Sequence, residues 1–571
     1  MAARLGDGDY TTVTRGGYLL LLVLAGLLVL VFYYPLALVL TGAFNEEGKW
    51  SLSALVGVIS DPYYVHLIWF TIVQAVYSTL LSLGIGLVGA YILTRYDFPG
   101  KRTIRSLTVI PFVLPAIVVA LGFILFFGNS GYLNQALISV FHLSRPPLRI
   151  LYSLTGIVLA HAFYNAPIVM RVVSASWEGF DPSIDEAATS LGVGRLRQFI
   201  GITLPRLMPA ILSSSALVFV FTFLSFPIVL TLGGARYATI EVGIYTLVRT
   251  LLDYNHGAAL ILVEMAISLS FTYLYLRAEG HLAIPTQGSR RLSPRPLLAP
   301  PLTVGKGLIF LYVFAVGIFF LGPIVSIIVD SLRSAESFTI ANYAQLLSQR
   351  YSPFLGTSPL ATVRTSLIIG SLATAMSLLV GTTIAFFVVR ARIVGRWVIE
   401  AVLMAPLAVS SVAIGFAILR GLSARPLHLG GTLMAIVIAH AVLIYPFVVR
   451  VLRPILEGLD PALVEVARSL GSSRGRAFLD IELPLLKRGL LVAAVFAFAL
   501  SMGEMSATIM LMRPGLSTIP IAVYGLLSAR QFGAASAMAV VLIAVTAASF
   551  ILIDRLGGEK INVRTDSEGS L

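Results

Sequence analysis

Apolar residues along this chain gather into long runs separated by short polar stretches. Twelve runs can be counted, beginning near residues 18, 65, 105, 152, 208, 258, 307, 363, 398, 431, 488 and 533. An apolar helix needs about 20 residues to cross about 30 Å of hydrocarbon. The pattern therefore predicts an all-α integral membrane protein with about twelve transmembrane helices. The first run, Tyr18 to Phe44, follows Arg4 and Arg15 and exceeds the roughly 7 to 15 residues of a signal-peptide core, so it is expected to stay attached as a span.

The polar stretches orient these spans. The connection after the second run carries Arg95, Lys101, Arg102 and Arg105, and its later counterpart carries Arg390, Arg392 and Arg396. Basic residues concentrate on the cytoplasmic side. The connections over 45–64, 333–360 and 512–532 hold one or two basic residues each. With an even number of spans, both termini are expected inside, in the plasma (inner) membrane. A stretch from Arg277 to Lys306 with Arg290, Arg291, Pro294, Pro296, Pro300 and Pro301 reads as a cytoplasmic linker. The expected division is a first span and external loop over 1–64, a transmembrane domain over 65–280 and the linker over 281–306. A seventh span and external loop over 307–360, a second transmembrane domain over 361–556 and a cytoplasmic tail over 557–571 complete it.

The two halves repeat. Ser82, Gly86, Ala90, Arg95 and Gly100 match Ser377, Gly381, Ala385, Arg390 and Gly395 at a constant offset of 295. Further on, His161, Pro167, Arg171, Glu178, Gly179, Asp181 and Pro182 match His440, Pro446, Arg450, Glu457, Gly458, Asp460 and Pro461 at an offset of 279. The change of offset falls in one external loop, since Gly122 to His161 spans 39 residues and Gly415 to His440 spans 25. Matched stretches occupy the same place in each six-helix unit, so the repeat is parallel and encloses a central pathway.

The most informative segments are the long polar loops after the fourth helix of each half. The first reads Glu186-Ala187-Ala188, then Gly192, Ile202, Leu204 and Pro205; the second reads Glu465-Val466-Ala467, then Gly471, Ile481, Leu483 and Pro484, at identical spacing. Asp181-Pro182 and Asp460-Pro461 supply an N-cap followed by a first-turn proline. A short helix is expected to run from there to Leu191 or Leu470, where the glycine takes a left-handed cap and turns the chain. A second short helix is expected to end ahead of Pro205 or Pro484. The product is a helix-turn-helix projection on the cytoplasmic face, with Ala187, Ala188 and Ala467 small enough to let another surface approach. An ordinary amphipathic hairpin explains one copy of this pattern; two copies at the same place in both halves favour a docking knob.

These loops resemble the EAA loop of binding-protein-dependent ABC permeases, E-A-A-x3-G-x9-I-x-L-P, with Val466 as the sole departure. The fusion of two such domains in one chain is similar to the iron(III) and thiamine importers. The resemblance implies a type I ABC importer permease fold of two parallel six-helix units. It also implies that each loop forms a coupling helix seated in a cytoplasmic ATPase, with Glu186, Glu465, Gly192 and Gly471 as contact and turn residues. Two loops imply two ATPase copies, and the family implies an extracytoplasmic solute-binding protein. The stretch Thr239-Ile240-Glu241-Val242-Gly243-Ile244-Tyr245 resembles thiamine permeases, whereas the general layout resembles ferric permeases equally, so the cargo stays open.

Composition narrows the chemistry. Each lysine, at 49, 101, 306, 487 and 560, lacks the Ser or Thr successor that a Walker A loop needs, so ATP and magnesium are expected on the partner ATPase and no cofactor on this chain. There is no cysteine, which removes thiolate metal sites and disulfides. A net charge of +13 reads as arginine in cytoplasmic loops beside lipid, not as a nucleic-acid surface. No nucleophile with a neighbouring base, acidic pair or metal motif suggests an enzyme. An ion-coupled secondary transporter also has two similar halves, but it gives no reason for duplicated docking loops.

Ionisable groups inside spans normally face a cavity or a partner. Glu264 and Glu504 are such groups. Glu504 and Ser506 fall opposite Ser225 and Phe226 in the repeat, on the fifth helices that line and gate the pore in the resembling family. Glu504 is read either as a pathway group or as an inter-helix hydrogen bond, and the sequence leaves both open. His161 and His440, at equivalent positions, are expected to hydrogen-bond neighbours and not to ligate a metal.

Overall fold

The computed structural model describes residues 15–46, 48–101, 104–105, 114–234, 236–282, 295–297, 300, 303–333, 337–390, 396–423 and 428–557. Arg4, Arg102, Arg290, Arg291, Arg392, most of the linker and nearly all of the expected tail lie outside them. Among the described residues, eleven helices are long and apolar enough to span, and the bent pair Val398–Ala408 and Ser411–Ser423, angled at 98°, makes a twelfth. Strand is confined to two pairs of two-residue segments, one of which joins Tyr96–Asp97 to Arg295–Pro296 of the linker.

In each half the second span packs on the fourth: Pro62–Arg95 on Leu154–Glu178, and Pro359–Arg390 on Leu433–Glu457. Glycine makes the contact close. A methyl group at Gly86 would meet the Val169 side chain, and one at Gly381 would sit 2.7 Å from Val448 Cβ and 2.9 Å from the Tyr445 carbonyl. Without a strong hydrophobic drive between helices in lipid, such small-residue contacts hold spans together by packing.

The first span of each half lies against the opposite half. Pro35 of the first span covers Gly421 of the ninth, and Pro323 of the seventh covers Gly122 of the third. A tyrosine on each fixes the exchange: Tyr33 Oη donates to the Val402 carbonyl at 2.5 Å, and Tyr312 Oη donates to the Ile85 carbonyl at 2.6 Å. Their outer faces, with Leu22, Val23, Leu311 and Phe314 exposed, suit contact with lipid chains.

The fifth span differs from expectation. It does not begin after Pro205; one helix runs from Leu196 to Phe223, and its counterpart runs from Gly475 to Gly503. The second helix of each polar loop is therefore the foot of a span. Ahead of each proline the helix widens by one residue, so that the Leu204 N–H donates to the Phe199 carbonyl and the Leu483 N–H to the Phe478 carbonyl. A wide turn accommodates a ring that has no N–H and would clash with a tighter preceding turn.

Candidate functional site

The two projections are built as the caps predict. Asp181 accepts a hydrogen bond from the Ser183 N–H at 2.9 Å, and Asp460 from the Ala462 N–H at 2.9 Å, opening helices Pro182–Ser190 and Pro461–Ser469. Both close in the same way. Gly192 and Gly471 take φ of +74° and +88°, and the next residues, Val193 and Ser472, donate to the carbonyls of Ala188 and Ala467 at 3.0 Å. A left-handed residue at this point is a position that L side chains resist and glycine does not.

The matched arginine of the second span in each half makes an ion pair near the projection, though with different partners. Arg95 Nη2 lies 2.7 Å from Asp185 Oδ2, on the projection itself, whereas Arg390 Nη2 lies 3.0 Å from Glu482 Oε1, on the foot of the eleventh span. Glu178 pairs with Arg105, and its equivalent Glu457 pairs with Arg453, which also holds Glu400.

Of the motif residues, Glu186 and Ala187 are exposed, Glu465 and Ala467 are half-buried, and Ala188 is buried. Pro205 and Pro484 stand at the wide turns. Two residues that the motif does not name are the most open: Leu191 and Leu470, 82% and 83% exposed, at the tips of the two helices. With Ile184, Leu196, Leu463 and Val466, also exposed, they form an apolar cap on each projection. Leucine at a helix C-cap just before the glycine was the available signal.

At the other end of the fifth helices both spans break. The first stops at Phe223 and resumes as Pro227–Leu232; the second stops at Gly503 and resumes as Ser506–Leu511. The matched histidines brace these breaks. His161 bonds Ser78 Oγ at 3.0 Å and Ser225 Oγ at 2.8 Å, while His440 bonds Ser501 Oγ at 2.7 Å and Thr508 Oγ1 at 2.8 Å. Glu504 takes the place of Ser225. Its carboxylate accepts from the N–H groups of Ala507 and Thr508 at 2.9 and 3.1 Å and from Thr508 Oγ1 at 2.9 Å, and one oxygen lies 3.5 Å from His440 Nε2.

Between the two breaks lies a cavity of ≈ 200 Å³ lined from both halves, by Pro115, Tyr164 and Pro227 on one side and Leu500, Glu504 and Ser506 on the other. Ser225 and Phe226 are turned elsewhere: Ser225 faces His161, and Phe226 is fully buried against Tyr245. Two apolar caps at one end and one seam at the other are thus linked by continuous helices.

Residues 82–279 and again 377–558 match the family model of the binding-protein-dependent transport system inner membrane component. The chain belongs to this family. It is a permease subunit of an ABC importer, a multi-pass inner membrane protein of a family whose members work with an ATPase and a solute-binding protein. The permease is 26% identical over 547 residues to a ferric transport system permease protein of Actinobacillus pleuropneumoniae, covering 94% of this chain and 78% of that one. It is 27% identical over 523 residues to a thiamine transport system permease protein of Escherichia coli (strain K12), covering 90% and 92%. A bacterial ABC transporter involved in the import of the acidic polysaccharide alginate covers 47% of the permease and 96% of its own chain, at 18% identity and a TM-score of 0.41. The first and seventh spans fall outside the family match, in keeping with their exchange across the halves.

Proposed function

We propose that the permease passes a small solute through the seam between its halves, driven by two ATPase copies seated on the two projections and supplied by an extracytoplasmic binding protein. ATP and magnesium belong to those ATPase copies, and both termini lie on the cytoplasmic side with the projections. Glu186, Ala187, Ala188, Gly192 and Pro205, with Glu465, Ala467, Gly471 and Pro484, build the docking surfaces; Glu504 and Ser506 face the pathway, and Pro115, Tyr164 and Pro227 shape its opposite wall, with Ser225 and Phe226 packed behind it. The observation that carries this reading is the pair of equally capped projections, each ending in an exposed leucine and each continuous with a fifth helix that breaks at the seam.

The cargo is a cation or a cationic organic molecule, of the kind named for the relatives: iron(III) or thiamine. Supporting this, the seam cavity is lined by one carboxylate, Glu504, and by no Lys or Arg among the described residues. An anion would meet only a like charge there, in a setting of weak screening.

Proteoliposomes holding the permease with its ATPase are expected to accumulate iron(III) or thiamine from the loaded binding protein only when ATP and magnesium are inside with the ATPase. Permease alone is expected to accumulate neither. Accumulation by permease alone under an ion gradient would instead establish a secondary transporter.

A further inference from the structure

The seam also holds a second group of carboxyls that the pathway does not use. Glu241 stands in the first turn of the short helix Ile240–Tyr245, and Glu264 in the middle of the sixth span; each is 1% exposed. Their carboxyl groups lie within hydrogen-bonding reach of each other. On the far side, Ser410 of the other half, at the 98° bend, donates its hydroxyl to Glu264 Oε2 at 3.0 Å and accepts from the Ala413 N–H at 3.2 Å. Glu241 Oε2 and Glu264 Oε1 find no N–H or O–H donor among the described residues. Of the groups that act on the pair, Ser410 is neutral and Glu504 is a third carboxylate; no cation is among them.

An ionised carboxylate only accepts hydrogen bonds, so two carboxyls in contact are joined only when one keeps its proton. Two ionised carboxylates in contact, buried and without a cation, are the less stable alternative. The missing donor for both orphaned oxygens is therefore a proton. We propose that Glu241 and Glu264 form a binding site for a single proton at the seam, and that its occupancy joins the short helix Ile240–Tyr245 to the sixth span. The repeat places Pro520 and Ile543 at the equivalent positions, so the chain carries one such site and not two. Loss of the proton puts like charges together within the first half, where it faces the second, and loosens that wall of the seam. Alkaline conditions then act on the gate without touching ATPase docking. The site rests on the packing of the halves and stands whether or not the cargo is cationic.

The test uses the purified full-length chain in lipid nanodiscs. At neutral pH, infrared spectra of the wild type are expected to show a protonated-carboxyl stretch that disappears on alkalinisation. Glu241→Gln and Glu264→Gln are each expected to lack it, because the amide now donates to a remaining carboxylate. Thermal stability supplies the second readout. The folded chain holds a proton that the unfolded chain releases at neutral pH, so raising pH favours unfolding, by about tenfold in the equilibrium constant per pH unit while the site stays protonated. Stability from the site is full below the unfolded carboxyl range, declines from there through neutral pH and is lost once the folded site gives up its proton; Glu264→Gln is expected to remove this dependence. A band absent from the wild type, or present in both Gln variants, would overturn the proposal. So would stability that rises with added sodium or magnesium and not with acid, which would make the pair a cation site.

Discussion

Replacing Leu191 and Leu470 together by aspartate is expected to leave the permease inserted and folded while abolishing its association with the ATPase and, with it, uptake. Both leucines are more than four-fifths exposed, and a methyl group at the adjacent glycines meets nothing, so the substitutions disturb little within the chain. Burying a leucine against a partner contributes about 1.5–3 kcal/mol, roughly tenfold to over a hundredfold in affinity at each contact. A carboxylate in its place must also be desolvated. Co-purification with the ATPase reads the loss, and an unchanged thermal midpoint separates it from misfolding. Retained association would move the docking surface away from these tips.

Glu504→Ala is expected to act at the other end of the same helices. ATPase association should persist while uptake falls at least about tenfold. The reason lies in its four contacts: the substitution leaves the Ala507 and Thr508 N–H groups without an acceptor, at about 1–3 kcal/mol for each, and frees His440 from its carboxylate neighbour. The break in the eleventh span would then lose its fixed geometry. Glu504→Gln, which keeps one acceptor oxygen, is expected to fall between wild type and alanine. Uptake undiminished in both variants would reduce Glu504 to a replaceable helix cap.

Much of this arrangement is legible in the chain because the signals are local. Asp181-Pro182 and Gly192, with their repeats, specify a helix, its start and its turn by backbone chemistry alone, and the structure places the caps there. Histidines at matched positions imply hydrogen bonds to neighbours, and both rings make two, though to partners that are not equivalent. Proline misleads where the backbone has a third option: Pro205 and Pro484 read as helix stops, but a widened turn carries each helix through.

Other features depend on which elements meet in space. Nothing in the first or seventh run shows that it packs on the opposite half, since lipid-facing apolar residues look alike wherever they lie. Glu241 sits in a helix of six residues, too short to count as a span, so its meeting with Glu264 is invisible to periodicity. Glu504, which the sequence leaves open as pathway or structural, caps a helix and also lines the cavity.

The central claim is that both projections face the cytoplasm, and the chain lends itself to a direct test because it has no cysteine. Ser190 and Ser469 are equivalent, exposed and adjacent to the tips, so Ser190→Cys and Ser469→Cys each introduce a single reporter thiol. In intact cells a membrane-impermeant maleimide is expected to leave both unlabelled and, after permeabilisation, to label both. Labelling of either thiol from outside an intact cell would contradict the account.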